Sequence, residues 1–138
     1  SQMLFGGFQR CLYSILRFDS DTERRLAIIL DRDSQKWFRP ASGQFPISYK
    51  LGVSEHDYRP DFVAETADCI YMLESKAKNE MTTPEVLAKK EAAVIWCSRA
   101  TTHALSNDGK PWKYVLIPHD MVDQNMTLDG LTSQFTEK

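Results

Sequence analysis

Tyr58-Arg59-Pro60-Asp61-Phe62-Val63-Ala64, a turn-like Glu65-Thr66-Ala67-Asp68 and then Cys69-Ile70-Tyr71-Met72-Leu73-Glu74-Ser75-Lys76-Ala77 form the stretch that decides the fold. The first run predicts a strand over 58–64, and the polar connection is short enough for a hairpin. In the second run, the consecutive apolar residues Cys69–Leu73 lie on both parities, which predicts a central strand covered on both faces. Such a strand needs helices above and below it. Upstream, Ser20 with Glu23 three residues later is a capping box, and the acidic first turn suits the helix dipole. The spacing predicts a helix over 20–31. Downstream, Thr83 at a cap position and Pro84 at the first helical position predict a second helix to about Thr101, with Leu87, Val94, Cys97 and Thr101 on one stripe.

The remaining elements are shorter. Cys11–Phe18 reads as extended, and Lys36-Trp37-Phe38-Arg39 as a brief run stopped by Pro40. Gln44–Lys50 alternates, with Phe45, Ile47 and Tyr49 on one parity and Pro46 confining it to an edge. A polar stretch, Gly52–Asp57, separates it from the strand at 58–64. Asn107–Pro111 is a turn, Trp112–Ile117 a last strand ended by Pro118, and the tail from His119 a loop with a short frayed helix. The order helix, strand, strand, strand, helix, strand predicts an α/β fold, a small mixed β-sheet sandwiched between helices.

Composition sets the outer limits. The 138 residues fit a single domain spanning 1–138, and 42% hydrophobic with 26% charged residues is ordinary globular usage, excluding a disordered tail, a collagen-like chain or a coiled coil. No apolar stretch, Leu26–Leu30 among them, comes near the length of a membrane span. No basic segment followed by an apolar one opens the chain, so no secretory signal and no membrane partner are expected. The 3 cysteines, Cys11, Cys69 and Cys97, form no C-x-x-C pair and read as reduced core thiols of a cytoplasmic protein. A net charge of −2 is low for a freestanding nucleic-acid binder, so a DNA-acting chain of this composition needs a tether. The absence of an initiator Met before Ser1 suggests a fragment of something longer.

No phosphate-binding glycine loop, H-E-x-x-H or G-x-S-x-G motif is present. His56, His103 and His119 have no ligand spacing and read as solvated loop residues. One constellation stands out. Glu74 and Lys76, two apart at the end of the central strand, emerge on one face, and a hairpin places Asp61 beside Glu74 on the neighbouring strand. Two carboxylates and an ammonium so placed read in either of two ways. They are a solvated hairpin end with a Glu74–Lys76 ion pair, or oxygen ligands of the kind that suit Mg²⁺. A bare [DE]-x-K decides nothing, since Asp108-Gly109-Lys110 repeats it in a turn.

Pro60-Asp61 and Glu74-Ser75-Lys76 in this element order resemble the PD-(D/E)xK nuclease superfamily, with its restriction-endonuclease-like fold. The runs Phe18–Arg25, Lys36-Trp37-Phe38, Tyr58–Val63 and Pro111-Trp112-Lys113-Tyr114 resemble more closely the C-terminal endonuclease region of type III restriction enzyme Res subunits and related DEAD/DEAH-type helicase–nuclease proteins, over roughly Phe8 to Leu128. The resemblance implies a Mg²⁺-dependent endonuclease domain hydrolysing double-stranded DNA. It implies a helicase motor in the same polypeptide and a DNA-methyltransferase modification subunit as partners. It also implies that Asp61, Glu74 and the Ser75 carbonyl ligate Mg²⁺, and that Lys76 positions the attacking water. Glu23 matches the family's extra acidic residue, although it is also the capping-box glutamate. Lys89, Lys90 and Glu91 fall where a further polar residue often lies on the second helix, or form a solvated face. The rival readings are a catalytically silent nuclease-like docking module, and an unrelated interaction domain using Trp37, Phe38 and Trp112 as exposed aromatics.

Overall fold

The computed structural model describes residues 3–6, 8–12, 15–18, 20–41, 43–45 and 47–137. Its centre is a four-stranded mixed sheet in the order β3-β6-β7-β8. These strands are β3 (Lys36–Phe38), β6 (Phe62–Glu65), β7 (Ile70–Lys76) and β8 (Trp112–Pro118). β6 and β7 are the expected antiparallel hairpin, with Phe62 opposite Leu73 and Glu65 opposite Ile70. β7 and β8 run parallel, Glu74 beside Leu116, and the chain crosses between them through α2 (Pro84–Leu105). Two two-stranded ribbons flank this sheet: β1 (Met3–Gly6) with β2 (Ile15–Phe18), and β4 (Ile47–Leu51) with β5 (Ser54–Tyr58). Within the run expected to be extended, Tyr13 and Ser14 lie outside the described residues, as does Pro46.

The period-2 alternation of the sheet sorts its side chains into two cores. Phe62, Ala64, Leu73, Val115 and Ile117 face Leu26, Ile29 and Leu30 of α1 (Asp21–Asp33) together with Leu128 and Leu131 of α3 (Leu128–Phe135). Met72, Tyr114 and Leu116 face Val86, Ala93 and Cys97 of α2 and Ile47, Tyr49 and Tyr58 of the β4–β5 ribbon. The sheet is thus covered on both sides, as the two-parity apolar run of β7 requires. Local signals act as expected at the helix starts. The Ser20 side chain accepts from the Glu23 N–H, and the Thr83 side chain accepts from the Val86 N–H ahead of Pro84.

Four expectations change. The strand expected over 58–64 is broken: Tyr58 closes β5, Arg59–Asp61 cross between sheets, and β6 begins at Phe62. The stretch Gly52–Asp57 is not a mere separator, because Ser54–Asp57 are strand residues exposed to water. An edge strand wet along its length carries no apolar alternation to betray it. The buried stripe of α2 is Val86, Ala93 and Cys97, and Leu87 is exposed. Trp37 is fully buried in the first core, while Phe38 and Trp112 are half-buried, ringed by Phe45 and Trp96, so these are not a set of exposed aromatics. Cys69 and Cys97 are buried and Cys11 half-buried, all as free thiols. Among the described residues no helix is long and apolar enough to cross a membrane.

Candidate functional site

β7 outruns its neighbour. The antiparallel register ends at Phe62 and Leu73, whereas β7 continues to Lys76. Continuing that register would set Pro60 opposite Ser75, and a proline has no N–H to offer the Ser75 carbonyl. The Asp61 side chain fills part of the vacated edge: its Oδ2 accepts from the Ser75 N–H at 3.0 Å. In a strand the N–H and C=O of one residue point to the same side. The Ser75 carbonyl therefore faces the edge that Asp61 occupies.

Glu74 projects to the other core and is buried. Its Oε2 accepts from the Tyr58 hydroxyl at 2.5 Å, and its Oε1 lies 3.8 Å from Lys76 Nζ. The Tyr58 and Tyr114 hydroxyls are 3.3 Å apart. Burial, and then the neighbouring Asp61, push the Glu74 carboxyl well above its ordinary value, against the Tyr58 hydrogen bond, Lys76 and Lys89. Burial raises Asp61 as well, offset by the Ser75 N–H and the charges of Arg39 and Lys76. Each phenol beside them is also raised, by burial first and then by the charge of Glu74. Asp61 and Glu74 thus each resist ionisation, and being neighbours they titrate as a pair.

Arg39 joins Glu23 to this pair. Its Nη2 donates to Glu23 Oε1 at 2.8 Å, with both side chains largely buried, and its guanidinium lies 5.5 Å from the centre of the Phe18 ring and 5.4 Å from that of Phe62. The same guanidinium favours the charged form of Asp61. Asp61, Glu74, Ser75 and Lys76 therefore converge at one strand end, and Glu23 meets them through Arg39.

The helix residues divide. Lys89 pairs with Glu85 at 3.3 Å, sits over the Tyr49 ring at 5.6 Å, and still bears on Glu74. Lys90 instead reaches Glu137 at 3.9 Å. Glu91 is exposed at a cavity beside Trp96 and Arg99. Beside the strand end, a cavity of about 570 Å³ lies between Lys76 and Lys89, with Glu80 and Glu85 on its wall. His119 and Asp120 sit in a single 3₁₀ turn.

Tyr58, Tyr114 and Arg39 were not singled out from the sequence. The available signal for Tyr114 was that a phenol placed in an apolar strand run must find a partner when buried. Arg39 carried no such signal.

Among the described residues no three His, Cys, Asp or Glu side chains gather to hold a metal ion. The donor set that is present, two carboxylates and a backbone carbonyl on one edge, still fits Mg²⁺, which uses one or two carboxylates and retains waters. Comparison with family models, with curated proteins and with solved structures finds no match to this chain.

Proposed function

We propose that this chain is a Mg²⁺-dependent deoxyribonuclease domain with a restriction-endonuclease-like fold, acting on double-stranded DNA as part of a type III restriction-type helicase–nuclease polypeptide. The observation that carries the reading is the strand end itself. Asp61 and Glu74, two carboxyls with raised affinity for protons, are held side by side, with the Ser75 carbonyl on the same edge and Lys76 3.8 Å from Glu74. Two adjacent buried acids are unfavourable on their own, and a divalent cation removes the conflict.

Asp61, Glu74 and the Ser75 carbonyl would hold Mg²⁺. Bound there, the ion supplies a water of lowered pKa and stabilises charge on the phosphate. Lys76, half-exposed beside the cavity, brings an ammonium to the place where a phosphodiester would lie and offsets its charge. The Arg39 guanidinium favours the charged form of Asp61, against the burial that raises it. The motor and a methyltransferase subunit would supply the DNA affinity that a net charge of −2 withholds.

The test is nicking of supercoiled plasmid in Mg²⁺ against chelator, by the wild type, Asp61→Asn and Lys76→Ala. Expected is Mg²⁺-dependent nicking that both variants lose, with Lys76→Ala still stabilised by Mg²⁺ in thermal melting because Lys76 is not a ligand. Nicking by either variant at the wild-type rate removes that residue from the mechanism. Metal binding without nicking, even when the domain is fused to its motor, leaves the silent docking module.

A further inference from the structure

Glu74 has two carboxylate oxygens, and the fold treats them differently. Oε2 takes the Tyr58 hydroxyl at 2.5 Å, whereas Oε1 is turned toward Lys76 Nζ at 3.8 Å. Behind Tyr58 stands Tyr114, hydroxyl to hydroxyl at 3.3 Å, with its ring set edge-on at 6.5 Å and 75°. A phenol carries one proton. With the Tyr58 proton on Oε2, the Tyr114 hydroxyl must be the donor of the second bond. The chain of donation therefore runs one way, Tyr114 to Tyr58 to Glu74.

Its members come from three strands, β5, β8 and β7, and all are buried among Met72, Val86 and Leu116 of the second core. Both rings are buried, so the donor to Oε2 is held by the packed core. A phenylalanine at position 58 would fill almost the same volume. The hydroxyl is therefore not needed for packing; its contribution lies in the bond to Glu74.

We propose that Tyr58, backed by Tyr114, is a positioning residue that pins Glu74 by Oε2, so that Oε1 alone is presented to a divalent cation beside Asp61. The inference rests on the Mg²⁺ reading of the site. A donor to an ionised carboxylate also replaces part of the water that the buried group has lost. Groups that orient a ligand in this way typically alter metal affinity by about 10- to 100-fold when removed.

The experiment is thermal melting of the full chain, starting in chelator and then titrating MgCl₂ alone, for the wild type, Tyr58→Phe, Tyr114→Phe and Asp61→Asn. Expected is a wild-type stabilisation whose midpoint moves to about tenfold higher Mg²⁺ in Tyr58→Phe. Tyr114→Phe moves it several-fold in the same direction, and Asp61→Asn abolishes it. A Tyr58→Phe protein that melts lower in chelator but keeps the wild-type Mg²⁺ midpoint overturns the inference, since a structural role moves only the baseline. If Tyr58→Phe does not fold, Tyr114→Phe decides, and an unchanged midpoint overturns the relay. If the wild type itself does not respond to Mg²⁺, the cation reading fails and takes the inference with it. A responding wild type with unmoved variants overturns the inference alone.

Discussion

Glu74→Gln offers the sharpest test of whether the strand end stores an electrostatic conflict. The substitution keeps shape and an acceptor for Tyr58 but removes the titrating proton. In the folded, metal-free protein the Glu74 carboxyl is raised well above its ordinary 4.5, so the folded state keeps a proton that the unfolded chain has released. A group raised in this sense contributes stability in full below the unfolded value, and loses it as pH climbs to the folded value. Across that interval one proton changes stability by about 1.4 kcal/mol per pH unit. A single unit is about a tenth to a quarter of the stability of an ordinary domain.

Of the other shifted carboxyls only Asp61 is raised in the same sense, and it titrates with Glu74 as a pair. Asp31, Asp33 and Glu65 are lowered, so their contribution is lost only as pH falls into the acid range. The raised tyrosines and Cys97, pushed up to about 12, act only in alkali. Urea unfolding in chelator from about pH 5.5 to about pH 8 should therefore show wild-type stability falling as pH rises, and a flatter Glu74→Gln profile. Saturating Mg²⁺ should remove the fall in the wild type and do nothing for the variant. Equal slopes in the two proteins would refute the reasoning, because the conflict would then lie elsewhere.

Asp61→Asn keeps an oxygen for the Ser75 N–H and removes one of two like charges. Carboxylates at neighbouring-strand spacing, about 5 Å, repel by roughly 3 kcal/mol at an effective dielectric near 20, partly cancelled by Lys76 and Arg39. The variant should gain about 0.5–2 kcal/mol in chelator by urea melts and lose its response to Mg²⁺. Arg39→Met removes a hydrogen-bonded cation from the buried Glu23 carboxylate and should destabilise the chain, with Glu23→Gln in the same chain recovering part of the loss. An additive double-mutant cycle would show that the pair is not coupled. DNA binding by the chain alone should be weak and fall steeply with salt in a filter or anisotropy assay, and tight salt-insensitive binding would contradict the tether.

The hairpin was legible because its signals are local. Five apolar residues on both parities mark β7, and the short Glu65–Asp68 connection sets the turn, which brings Asp61 next to Glu74 and Lys76. Both helix starts were legible for the same reason, each resting on one cap and one following residue. What failed to show were features fixed by tertiary contact. β5 packs only Tyr58 inward, so its other residues follow no apolar pattern. α2 is turned one residue from its expected stripe because Val86, not Leu87, meets the β4–β5 ribbon and the sheet. The pairing of Arg39 with Glu23 joins an edge strand to a helix start, and no spacing rule connects them. Tyr114 reads as one more apolar strand residue until the parallel strand brings its hydroxyl to Tyr58.

The parallel pairing of β7 with β8 also orders events in time. Asp61, Glu74 and Lys76 belong to one hairpin, and hairpins close within about 1–10 μs. β8 pairs with β7 only after α2 has crossed the sheet, a non-local step that carries the larger loop-closure cost. Until then Glu74 is wet and its charge is tolerated. Docking of β8 and Tyr114 is the step expected to bury Glu74 beside Asp61, so the repulsion between the two carboxylates should slow that step. Protons, or a cation held between the carboxylates, should relieve it, so refolding followed by stopped flow should speed up as pH falls or Mg²⁺ is added, and the pair that would serve chemistry in the finished molecule would also set the pace at which β8 docks.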